Sequence, residues 1–297
     1  MKILVTGPSG LIGSRLIPLL DGEGHNITRL TRSKSNSSGD TAYWNPDEGN
    51  IDVDKLEGHE AVVHLAGESI AGRWTREKKV KIADSRVKGT RLLSETLARL
   101  RSKPGVIVSA SGVGYYGNRG DEVLTEESSP GEGFLAGLSV KWENALRPAI
   151  EAGIRVVNMR LGIVLSRQGG ALEKMLLPFK LGIGGRVGSG RQYWSWIAID
   201  DVLGAVIHSI ATDSLSGPVN FVAPNPVTNI EFTRTLGDVL GRPALLPLPA
   251  FALRGLLGEM ADETMLTSTR AEPVKLLSSG YKFRYPDLKN ALEHVLS

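Results

Sequence analysis

Near its start the chain reads Thr6-Gly7-Pro8-Ser9-Gly10-Leu11-Ile12-Gly13. Glycines at this spacing do particular work where a strand turns into a helix. The first makes the tight turn, the second lets a pyrophosphate approach the backbone, and the third lets helix and strand pack closely. The first turn of the helix then offers unbonded N–H groups and a positive dipole end to phosphate. Gly7, Ser9, Gly10, Leu11, Ile12 and Gly13 are therefore expected to hold a dinucleotide.

The end of the next apolar run bears on which dinucleotide. It reads Leu30-Thr31-Arg32-Ser33-Lys34, and the first carboxylate after it is Asp40. An acidic residue there would bind a ribose 2′-hydroxyl and repel a 2′-phosphate. Arg32 instead presents a planar fork suited to phosphate, and Thr31 and Ser33 present hydroxyls. The expected cofactor is NADP(H).

These residues need a strand–helix–strand unit, and the apolar pattern supplies one. Residues 2–6 read as a buried strand, Ile12, Leu16, Leu19 and Leu20 recur at helical spacing, and 25–30 read as a second strand. Such a unit implies a right-handed crossover and parallel strands. Pro18, inside the helix, is expected to kink or shorten it. Further strands are expected at 61–66, 106–110, 156–161 and 218–222, and a short one at 41–44 within an otherwise looped 33–50. Helices are expected at about 75–100, 141–152 and 200–211, and through much of 251–297. Residues 180–192 carry five glycines and read as a mobile loop. The alternation predicts a doubly wound parallel α/β sheet of Rossmann type with a smaller, mainly helical C-terminal lobe. The core is expected over 1–165, with 194–222 returning to it, and the lobe over 166–193 and 223–297.

Composition narrows the class. The chain has 297 residues, 41% hydrophobic and 23% charged, so it can bury a core and does not read as disordered. It lacks cysteine, which removes disulfides, thiolate nucleophiles and cysteine-held zinc. Its histidines, His25, His59, His64, His208 and His294, are dispersed and suggest no metal site. A net charge of +3 without a basic–aromatic block gives no reason to expect nucleic acid. No apolar run of membrane-spanning length occurs, so no membrane partner is expected. The short apolar start does not read as a signal-peptide core, and the cytoplasm is the expected location. Neither substrate nor oligomeric state can be read from the pattern.

Taken together, the motifs resemble those of the extended short-chain dehydrogenase/reductases, which include sugar-nucleotide epimerases. His64-Leu65-Ala66-Gly67 is similar to that group's strand end beside the adenine and its ribose. Arg86-Val87-Lys88-Gly89-Thr90 resembles its N-V-x-G-T helix, with Arg86 in place of Asn. Ser109-Ala110-Ser111, running to Tyr116-Gly117, resembles its S-S-S…Y-G strand and loop with one extra residue. Arg160-Leu161-Gly162-Ile163-Val164 resembles its R-P-G strand end beneath the nicotinamide. Residues 178–201 and the tail motifs at 258–262 and 280–286 are similar to an atypical branch called epimerase family proteins, and this likeness spans essentially the whole chain. The resemblance implies cofactor contacts at Leu65, Ala66, Gly67, Arg86 and Ile163. It also implies a hydride-transferring reductase or epimerase.

One part of the family's machinery is absent. Its reductases use a Tyr-x-x-x-Lys pair, in which the tyrosine moves a proton and the lysine lowers its pKa. With Glu143 set on the family's usual glutamate, Leu135 stands at the tyrosine and Ser139 at the lysine. Lys141 would face about 200° away around the helix and reads as solvated. Tyr285 and Lys289 have the spacing but lie behind Pro286 in the tail, a coincidence. Ser111 and a loop tyrosine, Tyr116 or its neighbour Tyr115, are the candidates for a substitute pair; local packing is the rival reading. On the substrate side, Trp194 stands where many sugar-nucleotide epimerases carry an arginine for the substrate diphosphate, and Arg191 lies three residues upstream. Tyr193, Trp194 and Trp196 read either as an aromatic wall or as core, and Asp200 or Asp201 as the cap of the next helix. The alternative to an enzyme is a non-catalytic NADPH-binding or redox-sensing module.

Overall fold

The computed structural model describes residues 1–33 and 40–297. Lys34, the last residue of the basic turn, lies outside them. In chain order the elements are β1 (Lys2–Thr6), α1 (Gly13–Gly22), β2 (Asn26–Thr31), β3 (Thr41–Asn45), β4 (Asn50–Ile51), β5 (Ala61–His64), α2 (Arg76–Arg99) and β6 (Val106–Gly112). There follow β7 (Val123–Leu124), α3 (Phe134–Asn144), α4 (Arg147–Glu151), β8 (Arg155–Leu161), β9 (Ile163–Leu165), α5 (Gly170–Lys180), β10 (Tyr193–Trp194), β11 (Trp196–Ala198), α6 (Ile199–Ala211) and β12 (Gly217–Phe221). The chain closes with β13 (Val227–Thr228), α7 (Asn229–Leu240), α8 (Ala250–Leu257), β14 (Arg270–Ala271), α9 (Val274–Ser278) and α10 (Leu288–Leu296).

The main sheet has the order β12-β8-β6-β5-β1-β2-β3-β4, parallel throughout except for β4. Its strands are nearly continuous apolar runs because both faces are covered. Ile3, Val5, Val63, Val108 and Met159 pack with α1 and α6 on one face, and Leu4, Val62 and Ile107 pack with α2 and α4 on the other. The strand order reverses between β1 and β5, which opens a crevice at their C-terminal ends.

Several local expectations are corrected. Helix α1 is not cut short by Pro18 but continues past it to Gly22; the exposed proline has no N–H to give the Ser14 carbonyl. The single helix expected over 141–152 begins earlier and is two. Helix α3 ends before Pro148, which has no N–H to give the Asn144 carbonyl and sits instead in the first turn of α4. The glycine-rich stretch 180–192 is bonded along residues 243–249, which are rich in Pro and Leu: Gly188 donates to the Leu248 carbonyl at 2.9 Å and Leu248 to the Arg186 carbonyl at 2.8 Å. The tail is less helical than expected. Gly258, Pro273, Gly280 and Pro286 break it into short helices joined by extended chain.

Carboxylates fasten that tail to the core. Asp201 does not cap α6. It is fully buried and accepts hydrogen bonds from the backbone of Arg284 and Tyr285 and from the Tyr281 hydroxyl. Glu126 accepts from the backbone of Lys275 and Asn220. Glu263 accepts from the N–H groups of Phe134 and Leu135, capping α3 from 128 residues away.

Candidate cofactor and catalytic site

The glycine loop has the shape its spacing requires. Gly7 takes φ +65°, and a Cβ there would lie 2.9 Å from the Leu65 carbonyl carbon. A Cβ on Gly13 would lie 2.3 Å from the Gly7 carbonyl oxygen. Gly10 donates to that same carbonyl at 3.1 Å. Glycine is thus needed at 7 for conformation and at 13 for helix–loop contact. The loop bearing Ser9, Leu11 and Ile12 presents the start of α1 to the crevice, and the turn at 169–170 touches Leu11 from the other side.

Beneath the crevice lies a closed polar network. The Thr6 hydroxyl accepts from the N–H groups of Leu65 and Ala66 at 3.0 and 3.1 Å. It lies 2.7 Å from His64 Nδ1, so its own proton goes to that nitrogen. His64 Nε2 then donates to the Thr90 hydroxyl at 2.9 Å, which also accepts from Trp142 Nε1. This accounting assigns the neutral Nε2–H tautomer. Complete burial holds the His64 pKa down at about 4. The histidine fixes the 64–67 turn from below and takes no place in the crevice.

Arg32 is exposed beyond the end of β2, and the Thr31 hydroxyl donates to the Ser33 carbonyl at 3.3 Å. Across from Arg32 the Glu68 carboxyl is held below its usual range, first by the hydrogen bond from Lys78 and also by the charge of Arg32. Arg86 reaches the same turn. It donates to the Glu68 carbonyl at 2.9 Å, lies over the Trp142 ring, and comes within 3.4 Å of where a Gly67 Cβ would stand. Burial draws its pKa to about 10, which leaves it charged at neutral pH.

At the C-terminal ends of β6 and β8 a buried ion pair organises the site. Arg160 grips Glu143 through Nε and Nη2, both at 2.9 Å. Burial pulls the Arg160 pKa down, but the bonds to Glu143 outweigh it and hold the pKa above the ordinary value. Ser111, pairing in register with Arg160, donates to Glu143 Oε1 at 2.8 Å. Arg160 also lies flat on Tyr115, 3.4 Å from the ring centroid. Ile163 follows at once, its N–H donating to the Ser195 carbonyl at 2.8 Å.

The place expected for Tyr116 is corrected. Its side chain is completely buried, its hydroxyl donates to Asn220 at 2.7 Å and accepts from Arg160 at 3.0 Å, and burial pushes its pKa up to about 12. With both partners fixed it presents no proton to the crevice. Tyr115 is half-buried and its hydroxyl makes no hydrogen bond among the described residues.

Leu135 packs where Gly114 leaves room, in one apolar cluster with Phe134, Trp74 and Met260 of the tail. Ser139 is buried and Lys141 exposed. Tyr285 stacks on His294 and Lys289 faces Glu293, both within the tail. Trp194 and Trp196 are buried in the C-terminal core, so packing, and not an aromatic wall, accounts for both. Sequence reasoning did not assign the Arg160–Glu143 pair or the Glu263 cap. An arginine at a buried position of β8 was the available signal, since a charge there demands a partner.

Comparison with known proteins agrees with this architecture. Residues 3–222 match the model of the NAD dependent epimerase/dehydratase family, and the chain belongs to that family. Residues 248–295 match a domain of unknown function. An epimerase family protein of Mycobacterium bovis is 43% identical over 294 residues, covering 99% of this chain and 97% of its own. The crystal structure of the human epimerase family protein SDR39U1 with NADPH superposes with a TM-score of 0.91 at 35% identity, covering 99% of each chain. A nucleoside-diphosphate sugar epimerase from Corynebacterium glutamicum gives a TM-score of 0.82 at 36% identity, covering all of this chain and 58% of its own. UDP-N-acetylglucosamine 4-epimerase from Bacillus cereus shares the fold at 18% identity, with a TM-score of 0.75. Among the described residues no helix is long and apolar enough to cross a membrane.

Proposed function

We propose that the chain is a cytoplasmic NADPH-dependent enzyme that transfers hydride to or from a small molecule, as a reductase or epimerase, with Ser111 holding the reacting oxygen. The observation that carries this is the placement of Ser111. It lies at the end of β6, one strand from the Ile163 turn, and its hydroxyl is oriented by the Glu143 carboxylate, which Arg160 grips at 2.9 Å. Preference for NADPH rests on Arg32 and on the absence of a carboxylate at the end of β2. A human relative crystallised with NADPH supports the same cofactor.

The loop from Gly7 to Gly13, the Leu65–Gly67 turn and Arg86 would bind the dinucleotide, and NADPH when bound supplies the hydride. Ser111 would turn its proton from Glu143 to the substrate oxygen. Tyr115, not Tyr116, would bring a phenolic proton to the reacting atom, since only its hydroxyl is unengaged. Leu135 and Met260 would form an apolar wall that keeps water away.

The test is NADPH oxidation across a panel of carbonyl compounds. Ser111→Ala and Tyr115→Phe should each lower kcat by about 10²–10⁴-fold, the usual contribution of a general acid, with NADPH affinity unchanged. Full activity in both variants on an identified substrate would defeat the assignment. Leu135 and Ser139, in place of the proton-moving pair, favour a second reading, a non-catalytic NADPH sensor. Strong stabilisation by NADPH with no turnover on any substrate would select it.

A further inference from the structure

Helix α5 faces inward through Leu172, Leu176 and Phe179, and α8 through Leu253, all buried in the C-terminal core. Their outward faces are apolar as well. Leu177 and Leu181, one turn apart on α5, are 66% and 64% exposed, and Ile183 follows them. Leu245 is 82% exposed and Phe251, at the start of α8, 78%.

Hydrogen bonds set these two strips side by side. The chain leaves α5 in a turn where Gly182 donates to the Phe179 carbonyl at 2.9 Å and Ile183 to the Pro178 carbonyl at 3.0 Å. Leu246 then donates to the Gly184 carbonyl at 3.3 Å, and the bonds of Leu248 with Arg186 and Gly188 carry the pairing on towards α8. A Cβ on Gly185 would run into the Leu246 carbonyl, so glycine is what lets the strips approach. Helix α8 is itself tied to the core, since Arg73 donates to the Gly255 carbonyl at 2.6 Å. Half of the large apolar side chains exposed among the described residues thus lie at 177–183 and 245–256, on two strips bonded together.

The charges around this face have one sign. Residues 174–191 and 241–256 carry Lys174, Lys180, Arg186, Arg191, Arg242 and Arg254, all exposed, and no carboxylate, with Glu173 at the border of the first stretch. Of the six, Arg254 alone forms an ion pair among the described residues, with Asp262 just beyond. A contiguous exposed apolar area marks an interaction site, and its rim selects the occupant. A second copy packed on it about a two-fold axis would set the same cations against one another. An anionic bilayer matches both parts. The acyl boundary takes apolar tips that stand clear of the protein, and lipid phosphates meet cations whose long stems reach from that boundary to the headgroups.

We propose that the face formed by α5, α8 and the paired segments between them docks on the surface of an anionic lipid bilayer. Such a face lies on a membrane without crossing it, so it needs no helix of spanning length, and it replaces the expectation of no membrane partner.

The experiment sediments the full chain with vesicles of equal parts phosphatidylglycerol and phosphatidylcholine, and with vesicles of phosphatidylcholine alone. The wild type should bind the mixed vesicles at least tenfold more tightly than the neutral ones, and added salt should weaken that binding. Leu245→Ser with Phe251→Ser, both at exposed positions, should lower it at least tenfold and leave the melting temperature and NADPH affinity unchanged. Lys180→Glu with Arg242→Glu should lower it as much, whereas Lys88→Glu with Arg91→Glu, the same change of charge on α2, should lower it far less. No binding of the mixed vesicles by the wild type, or equal binding by the Leu245→Ser, Phe251→Ser variant, overturns the proposal. Equal losses in the two charge variants would show adsorption of a basic protein without a docking face and overturn it too. So would a dimer in analytical ultracentrifugation that Leu245→Ser with Phe251→Ser dissolves, because the face would then belong to a second copy.

Discussion

His64 ties folding stability to pH through one buried ring. Protonating Nδ1 would set two donors against each other, because the Thr6 hydroxyl already spends both its lone pairs on the Leu65 and Ala66 amides. The folded pKa of about 4 lies below the ordinary 6.5. A depressed pKa means that the unfolded chain binds the proton first. Stability is therefore full above pH 6.5 and falls as pH drops towards 4. At roughly 1.4 kcal/mol per pH unit, the loss from this residue is about 2–3 kcal/mol at pH 4.5 and about 3–4 kcal/mol at completion. Urea denaturation at pH 7.5 and pH 4.5 measures it, comparing wild type with His64→Asn. Carboxylates, the buried His59 and the half-buried His208 titrate in both proteins and cancel in the difference. The wild type should lose about 2–3 kcal/mol more than the variant between the two pH values. Equal losses would refute the neutral, doubly bonded imidazole.

Two other consequences follow from the site. Glu143→Leu leaves Arg160 buried without its partner and should cost about 3–5 kcal/mol in urea denaturation, while Glu143→Leu with Arg160→Met should recover most of it. Gly13→Ala places a Cβ against the Gly7 carbonyl and should lower NADPH affinity at least tenfold by titration calorimetry, whereas Gly22→Ala in the same helix, where a Cβ meets nothing within 4 Å, should not change it.

The parallel sheet and the glycine loop were legible because each is written in neighbouring residues. Strand runs, glycine spacing and helical periodicity all act within about 30 residues, the span of one strand–helix–strand unit. What sequence could not supply is pairing across distance. Ser111 was visible as a candidate, but the carboxylate that orients it is 32 residues away and the arginine that grips that carboxylate lies on another strand. Tyr115 and Tyr116 are adjacent and chemically identical, and only tertiary packing buries one hydroxyl between Arg160 and Asn220 while leaving the other unengaged. Asp201 read as a helix cap because it opens a helix. It is drawn instead to the unbonded backbone of the tail more than 80 residues on. The Trp194 and Trp196 side chains looked equally suited to a wall or a core until α7 and the tail closed over them.

Binding selectivity tests the central claim most directly. Calorimetric titration of NADPH and NADH into wild type and Arg32→Ala measures whether the basic end of β2 reads the 2′-phosphate. NADPH should bind the wild type more tightly than NADH, and Arg32→Ala should cost NADPH about 1.5–3 kcal/mol, the range for a hydrogen bond to a charged group, while leaving NADH nearly unchanged. Equal affinity for the two cofactors in the wild type, or equal losses for both in the variant, would contradict the account.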